Sequence, residues 1–244
     1  MNKFLDLFEK EKPIIGMLHL GKRNLYKDAL DLTKYELNTY LENGIDGVIV
    51  EDYFGDYNDV ERTLEYLYVL RNDVIYGVNY LRNYKIAFEL AQLYKAKFIQ
   101  IDSVAGHLLS SQDEKYAQEL NELRNITNIP VIGGVRFKYQ PYLSERSLKE
   151  DLELGMQRCD GIVVTGDATG LETPLKKAAE FKHIIKDFPL IIGAGLTPDN
   201  CIPSLTVGDA AIVGSYVKHN HKDSGIVSAK HVKKLVYKVK TIRK

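Results

Sequence analysis

Two groups of residues in this 244-residue chain have the types and spacing to do chemistry. The first is a pair of glycine-bearing segments in the last quarter of the sequence. Gly193-Ala194-Gly195-Leu196-Thr197 leads into Pro198-Asp199-Asn200, and Val213-Gly214-Ser215 leads into Tyr216-Val217-Lys218. Glycine lets a backbone approach an anion closely, and free N–H groups at a helix start bind phosphate oxygens. Gly193, Gly195, Thr197, Gly214 and Ser215 are therefore the expected phosphate-binding residues. Tight turns alone would use the same glycines. Thr165-Gly166-Asp167-Ala168-Thr169-Gly170 is a third small-residue segment, and Thr165 and Gly166 join the phosphate set. The alternative there is an Asx-type turn before a helix opening at Thr173-Pro174.

The second group is polar and ionisable. A carboxylate facing a lysine in a dry cleft shifts the lysine's pKa and its own, which suits proton transfer or carbonyl chemistry. Glu51, Asp102 and Lys138 are the expected catalytic residues, with the acid/base role on Glu51 or Asp102. His19, Asn79, Arg82 and Arg136 are expected to contact substrate. A charge network capping a core would employ the same residues without catalysis. The histidines form no metal-like constellation: His219-Asn220-His221 is compact, but two histidines in a charged loop are ordinarily solvated. Glu51 with Asp102 could hold Mg²⁺ beside a phosphate, though nothing in the sequence demands it. No metal is assigned, and the cofactor is left unknown.

These residues need a scaffold that brings distant positions together. Short Val/Ile-rich runs recur eight times: Pro13–His19, Asp46–Asp52, Val74–Tyr80, Phe98–Asp102, Val131–Lys138, Gly161–Thr165, Leu190–Gly193 and Ala210–Val213. Their weak polar alternation is that of parallel strands covered by helices. Helix-period segments lie between and after them, near 28–42, 59–71, 85–94, 114–125, 147–154, 173–186, 198–205 and 228–240. Gly44 and Gly155 fall where left-handed caps are wanted, and Thr197-Pro198 reads as an N-cap with proline in the first turn. A faint repeat, a small or polar turn feeding a buried strand, recurs at Asp46, Asp160 and Asp209, about four and two βα units apart. Eight right-handed crossovers close into a single (β/α)₈ TIM barrel, an α/β fold. An open doubly wound sheet is less apt, because no glycine-rich turn follows the first strand. In a barrel the groups after each strand converge on one mouth, and a phosphate often sits after strands seven and eight.

Residues 1–12 read as an amphipathic segment covering the barrel, with Phe4, Leu5, Leu7 and Phe8 apolar, and residues 13–244 as the barrel. Asp6, Glu9 and Glu11 interrupt any signal-peptide core, and no apolar run reaches a membrane-spanning length. Thirty-three basic and thirty-three acidic side chains cancel, so no overall field recruits nucleic acid. Cys159 and Cys201 are too few for a disulfide scaffold, and a reduced cytoplasmic setting is the expectation. The basic segment Lys230–Lys244 carries Val232, Leu235, Val236 and Val239 at helical spacing, which reads first as a helix with a solvated basic face. Membrane-surface or nucleic-acid attachment is its minor reading.

Several blocks together resemble the BtpA/SgcQ family of phosphate-binding barrels. They are Lys12–His19, Gly47–Asp52 with Phe54-Gly55-Asp56, Gly77–Asn83, Val164-Thr165-Gly166 with Thr169-Gly170, Gly193–Asn200 and Ile212–Ser215. The resemblance implies a TIM barrel of the ribulose-phosphate-binding type and supplies no reaction, since one member is associated with photosystem I biogenesis and another lies among sugar-metabolism proteins. Gly134 stands where the family usually has an aspartate, Tyr139 where it has a histidine, and Gln100 where it has an arginine. Those departures put any chemistry carried by the family's polar groups in doubt.

The expected function is an enzyme acting on a phosphorylated sugar or nucleotide-like metabolite, by isomerase, lyase or glycosyl-transfer chemistry. The expected partner is that phosphorylated small molecule; homo-oligomerisation is left open. The competing class is a non-enzymatic assembly or stability factor, which predicts an exposed apolar patch and indifference to changes at the mouth.

Overall fold

The structure is a computed structural model that describes residues 3–21 and 26–243. Met1, Asn2 and Lys244, the outer ends of the two expected segments, lie outside the described residues. Strands and helices alternate along the chain: β1 (Ile14–His19), α1 (Ala29–Glu42), β2 (Gly47–Glu51), α2 (Tyr57–Val69), β3 (Tyr76–Asn79), α3 (Tyr84–Leu93), β4 (Phe98–Ala105) and α4 (Ser110–Thr127). They continue as β5 (Val131–Val135), α5 (Leu148–Arg158), β6 (Gly161–Val164), α6 (Leu175–Ile185), β7 (Leu190–Ile192), α7 (Cys201–Val207), β8 (Ala210–Val213) and α8 (Ala229–Lys240). Each strand pairs in parallel with the next, and β8 pairs with β1 to close the barrel.

Closure explains why the strands are apolar on both faces. Ile15, Met17, Ile49, Phe98, Ile132, Val163, Ile191 and Ile212 fill the barrel. Their neighbours Ile14, Leu18, Val48, Val50, Ile162, Val164 and Ile192 pack outward against the helices. Successive side chains alternate between these faces. Extending the inward set by two residues at the C-terminal ends reaches His19, Glu51, Gln100 with Asp102, Gly193 and Gly214. Alternation therefore delivers the polar groups to one mouth. At the opposite end the fully buried Phe4 meets the rings of Phe8 and Phe98 edge-on, with centroids 5.6 and 5.3 Å away.

The three-fold sequence repeat has a specific physical role at that lower end. Asp46 Oδ2 accepts from the Ile14 N–H at 2.8 Å, Asp160 Oδ2 from the Val131 N–H at 2.8 Å, and Asp209 Oδ2 from the Leu190 N–H at 2.9 Å. Each aspartate precedes one strand and caps the first N–H of the strand before it. Each is also paired with a cation: Arg243, Arg124 and Lys182 respectively.

Four local expectations are corrected. The fifth strand ends at Val135 rather than Lys138, because Arg136 takes a left-handed backbone (φ 48°) and turns the chain. β4 runs on to Ala105, with a register shift against β5 between Ile101 and Ala105. Gly155 lies inside α5 and caps nothing; an added Cβ would stand 2.6 Å from Val135 Cγ2, so glycine is what lets the helix touch the sheet. α7 begins at Cys201, after Pro198, and the Thr197 N–H is held by Asn200 Oδ1 at 2.8 Å.

The basic C-terminal helix spends its apolar stripe in the core, since Val232, Leu235, Val236 and Val239 are all buried. That leaves no apolar face on α8 for a membrane surface. No described helix is long and apolar enough to cross a membrane. Cys159 and Cys201 are free and buried.

Asp160→Ala should leave the Val131 N–H without its partner and Arg124 held only by the Gln157 carbonyl. Urea unfolding should show a loss of about 1–3 kcal/mol, the cost of stranding a buried donor.

Candidate functional site

A cavity of about 370 Å³ opens at the C-terminal ends of the strands. One side is carboxylic. Asn79 Nδ2 donates to Glu51 Oε1 at 2.9 Å and to Asp102 Oδ1 at 3.0 Å, so one amide bridges two carboxyl groups. Burial is the main force raising the Glu51 pKa from 4.5 to about 8, and the negative charge of Asp102 adds to it. Asp102 is raised too, again chiefly by burial. The nearby Lys138 ammonium and the Asn79 amide pull both carboxyl groups part of the way back. Two neighbouring carboxyl groups that ionise reluctantly can hold one proton between them and pass it to a ligand. Lys138 lines the same cavity and makes no ion pair within 4 Å among the described residues, so its charge is available to a ligand.

The opposite side is built by the turns after β7 and β8. Gly195 has φ +69°, and a Cβ there would lie 2.3 Å from the Leu171 carbonyl oxygen. Only glycine allows this turn to lie against the β6–α6 connection. The N–H groups of Gly195, Leu196 and Ser215 have no acceptor among the described residues, and all three residues line the cavity. The Gly193 N–H is spent on Val164 O (2.8 Å) and that of Thr197 on Asn200, so these two residues shape the turn without offering a donor from the main chain. His19 joins the two sides. Its Nε2 is 3.5 Å from Glu51 Oε2, and a Cβ on Gly214 would fall 2.9 Å from its Cε1.

The structure thus gathers His19, Glu51, Asp102, Lys138, Gly193, Gly195, Thr197, Gly214 and Ser215 around one cavity. Asn79 stands behind it, bridging the carboxyl groups. Arg82 and Arg136 turn elsewhere: Arg82 pairs with Asp52 at 2.5 Å and reaches Gly55 O, while Arg136 Nε meets Asp151 at 2.8 Å and its Nη2 the Arg146 carbonyl. Arg136 was expected to share a strand face with Lys138, and the turn at its own backbone separates them. Thr165 and Gly166 do not line the cavity; Thr165 Oγ1 instead accepts the Lys138 N–H at 3.1 Å and sets that loop. Among the described residues no group of three or more His, Cys, Asp or Glu side chains is arranged to hold a metal ion.

The roof of the cavity went unread in the sequence. Tyr139 Oη accepts the Thr169 N–H at 2.9 Å, and Tyr53 Oη lies 3.4 Å from Thr169 Oγ1, so two tyrosines from different loops hold the β6–α6 connection over the mouth. His221, expected to be merely solvated, also reaches the cavity edge. Its ring stacks on Tyr216 and His231 at 5.2 and 4.5 Å. Aromatic residues in separate loops have no shared spacing that could have announced this. The loop bearing Ser215 and His221 is tied down by a buried pair, Lys218 Nζ to Glu36 Oε1 at 2.7 Å.

The BtpA family model matches residues 10–241. The chain belongs to the BtpA family. An uncharacterised protein of Pyrococcus horikoshii is 30% identical, over 95% of this chain and 97% of its own. The photosystem I biogenesis protein BtpA of Synechocystis is 27% identical, over 87% of this chain and 83% of its own. Among solved structures, phosphoribosyl anthranilate isomerase from Thermus thermophilus superposes with a TM-score of 0.63 at 13% identity, covering 94% of this chain and 99% of that one. Thiamine phosphate pyrophosphorylase from Pyrococcus furiosus gives 0.62 at 13%, covering 98% and 97%. At that identity these two establish the barrel fold alone.

The departures from the BtpA pattern acquire a physical setting. A Cβ on Gly134 would stand 2.1 Å from the Asp102 carbonyl oxygen and 2.3 Å from the Phe137 ring. Phe137 and the displaced β4 backbone occupy the space an aspartate would need. Tyr139 has become part of the roof, and Gln100 part of the floor.

The raised Glu51 pKa fixes the sign of a pH effect. Between about 4.5 and 8 the folded chain holds a proton at Glu51 that the unfolded chain has released, so stability falls as pH rises across that window and levels off above it. Glu51→Gln should flatten this decline and be more stable than the parent at pH 9. Urea unfolding at pH 5, 7 and 9 measures both slopes.

Proposed function

We propose that this BtpA-family barrel binds a phosphorylated sugar or nucleotide-like metabolite and acts on it by proton transfer. The observation that carries the reading is the polarity of one cavity, with unpaired main-chain N–H groups at the β7 and β8 turns and reluctant carboxyl groups beside a lysine across from them. A phosphate dianion is suited to Gly195, Leu196 and Ser215, where N–H groups meet it without a competing acceptor. The reacting end then lies toward Glu51, Asp102 and Lys138. A protonated Glu51 is a general acid at neutral pH, Asp102 its proton-sharing partner, and Lys138 a stabiliser of developing negative charge on a carbonyl or enediolate oxygen. His19, between the two sides, is placed to orient the ligand. Isomerisation, carbon–carbon cleavage and glycosyl transfer all use this set, and the ligand decides among them.

An assembly role is the second reading. It is supported by the name of the Synechocystis relative and by exposed apolar side chains around the mouth, among them Phe54, Tyr142, Leu143 and Leu171. It requires nothing of the cavity.

Thermal denaturation with ribose 5-phosphate and inorganic phosphate separates the two. Ligand at a hundred times its Kd should stabilise the parent by about 2.7 kcal/mol. Ser215→Asp, which sets a carboxylate against the phosphate, should abolish that gain, measured relative to its own ligand-free midpoint because the new charge enters a buried position. Glu51→Gln should keep the gain. Equal stabilisation of the parent and Ser215→Asp would put the phosphate elsewhere.

A further inference from the structure

Lysines withdrawn from solvent ordinarily have a partner, and two at the mouth end of the barrel do. Lys218 Nζ pairs with Glu36 Oε1 at 2.7 Å, and Lys177 Nζ donates to the Thr165 carbonyl at 2.8 Å. Lys138, half-buried between them and the carboxyl groups, has none. Its ammonium makes no hydrogen bond or ion pair among the described residues and lies only over the face of the buried Phe137 ring, 5.7 Å away. The backbone that carries it is held in place. The Lys138 N–H donates to Thr165 Oγ1 at 3.1 Å, and the chain takes left-handed turns at Arg136 and Tyr139 on either side.

This amine shares one cavity with Glu51 and Asp102 and pairs with neither. Both carboxyl groups nonetheless feel its charge. A lysine that served only to neutralise them would close to salt-bridge distance. Held apart, it leaves room for a ligand atom between an amine and two proton carriers, which is what addition of an amine to a carbonyl needs.

We propose that Lys138 is the nucleophile of this cavity and forms an imine with the carbonyl carbon of a phosphorylated ketone or aldehyde. This deepens the proposed function and rests on its placement of the ligand phosphate at the β7 and β8 turns; the part of the lysine becomes covalent instead of electrostatic. Asp102 takes one proton from the ammonium, at lower cost than an ordinary carboxylate because its own pKa is raised. The amine lone pair forms the C–N bond, and the carbonyl π pair moves to oxygen, which takes the proton of Glu51. Glu51 recovers a proton from the new ammonium nitrogen, leaving a neutral carbinolamine. Asp102 returns its proton to the hydroxyl, the C–O bond breaks, and water leaves as the nitrogen lone pair forms C=N. The sum is carbonyl plus ammonium giving iminium plus water, with both carboxyl groups restored. An iminium draws electrons from the neighbouring carbon, so the chemistry narrows to breaking a C–H or C–C bond there. Glycosyl transfer drops out.

The test is reductive trapping of the full chain followed by peptide mass mapping. Sodium cyanoborohydride is added with dihydroxyacetone phosphate, glyceraldehyde 3-phosphate or ribulose 5-phosphate, and in parallel with the unphosphorylated counterpart of each. Hydride converts the iminium to a stable secondary amine. One phosphorylated probe should add the mass of one ligand less one oxygen atom to the peptide bearing Lys138. Labelling there should exceed that of any other lysine by about tenfold or more, because a bound carbonyl is held beside one amine. Inorganic phosphate should suppress it. Lys138→Arg, which keeps the charge and removes the nucleophile, should lose it. The mapping uses the unaltered protein, so a poorly folding variant does not decide the outcome.

No excess at Lys138 with any probe overturns the inference. If inorganic phosphate still stabilises the parent against heat in that case, the proposed function stands with an electrostatic Lys138. Equal labelling of Lys138 by an unphosphorylated probe, indifferent to inorganic phosphate, keeps the covalent role and removes the phosphate reading. With neither adduct nor stabilisation, both fall.

Discussion

One side-chain amide separates two buried carboxyl groups, and the character of the cavity depends on that arrangement. Without Asn79, Glu51 and Asp102 would face each other across the barrel mouth with burial and mutual repulsion unrelieved. With it, one NH₂ group satisfies an oxygen of each at 2.9 and 3.0 Å, and the pair persists with its pKa values raised. Asn79 stands at the inward end of β3, whose register opposite Glu51 on β2 places the amide beside that carboxyl. A pair of carboxyl groups that ionise reluctantly, bridged by one amide, is thus a consequence of strand register.

The mouth and the base of the barrel divide labour. At the base, Asp46, Asp160 and Asp209 each cap the first N–H of a neighbouring strand and hold a cation. At the mouth, satisfaction is deliberately incomplete in three places. Main-chain N–H groups at the β7 and β8 turns and the Gln100 oxygen have no hydrogen-bond partner among the described residues, and the Lys138 ammonium has no ion pair there, only the face of the Phe137 ring 5.7 Å away.

The mouth combines parts carried on strands with parts carried on loops. The floor is carried on strand ends, where flanking β-ladders restrict motion. The roof is carried on loops and held by contacts of Tyr53 and Tyr139 to Thr169 that a ligand could exchange for its own. The Lys218–Glu36 pair anchors the β8 loop that carries Ser215.

Strand and helix order, closure and the destination of His19, Glu51 and Asp102 were legible in the sequence, because burial on both faces leaves Val/Ile runs and alternation then dictates which strand-end residues point inward. Gly195 and Gly214 were singled out as turn glycines after the last two strands, and the structure adds that backbone crowds the first and the His19 ring the second. Arg136 was misread because period-two alternation holds only while the strand lasts, and the left-handed residue that ended it was the arginine itself. The tyrosine roof, the approach of His221 and the unpaired oxygen of Gln100 had no sequence signature. They arise where separate loops meet, and the local spacing of one segment carries no information about how far away another will fold. By itself, then, the sequence determined the barrel and the chemical types at its mouth; only the tertiary structure decided which of those groups were already partnered, since hydrogen bonds between strands depend on register and closure together.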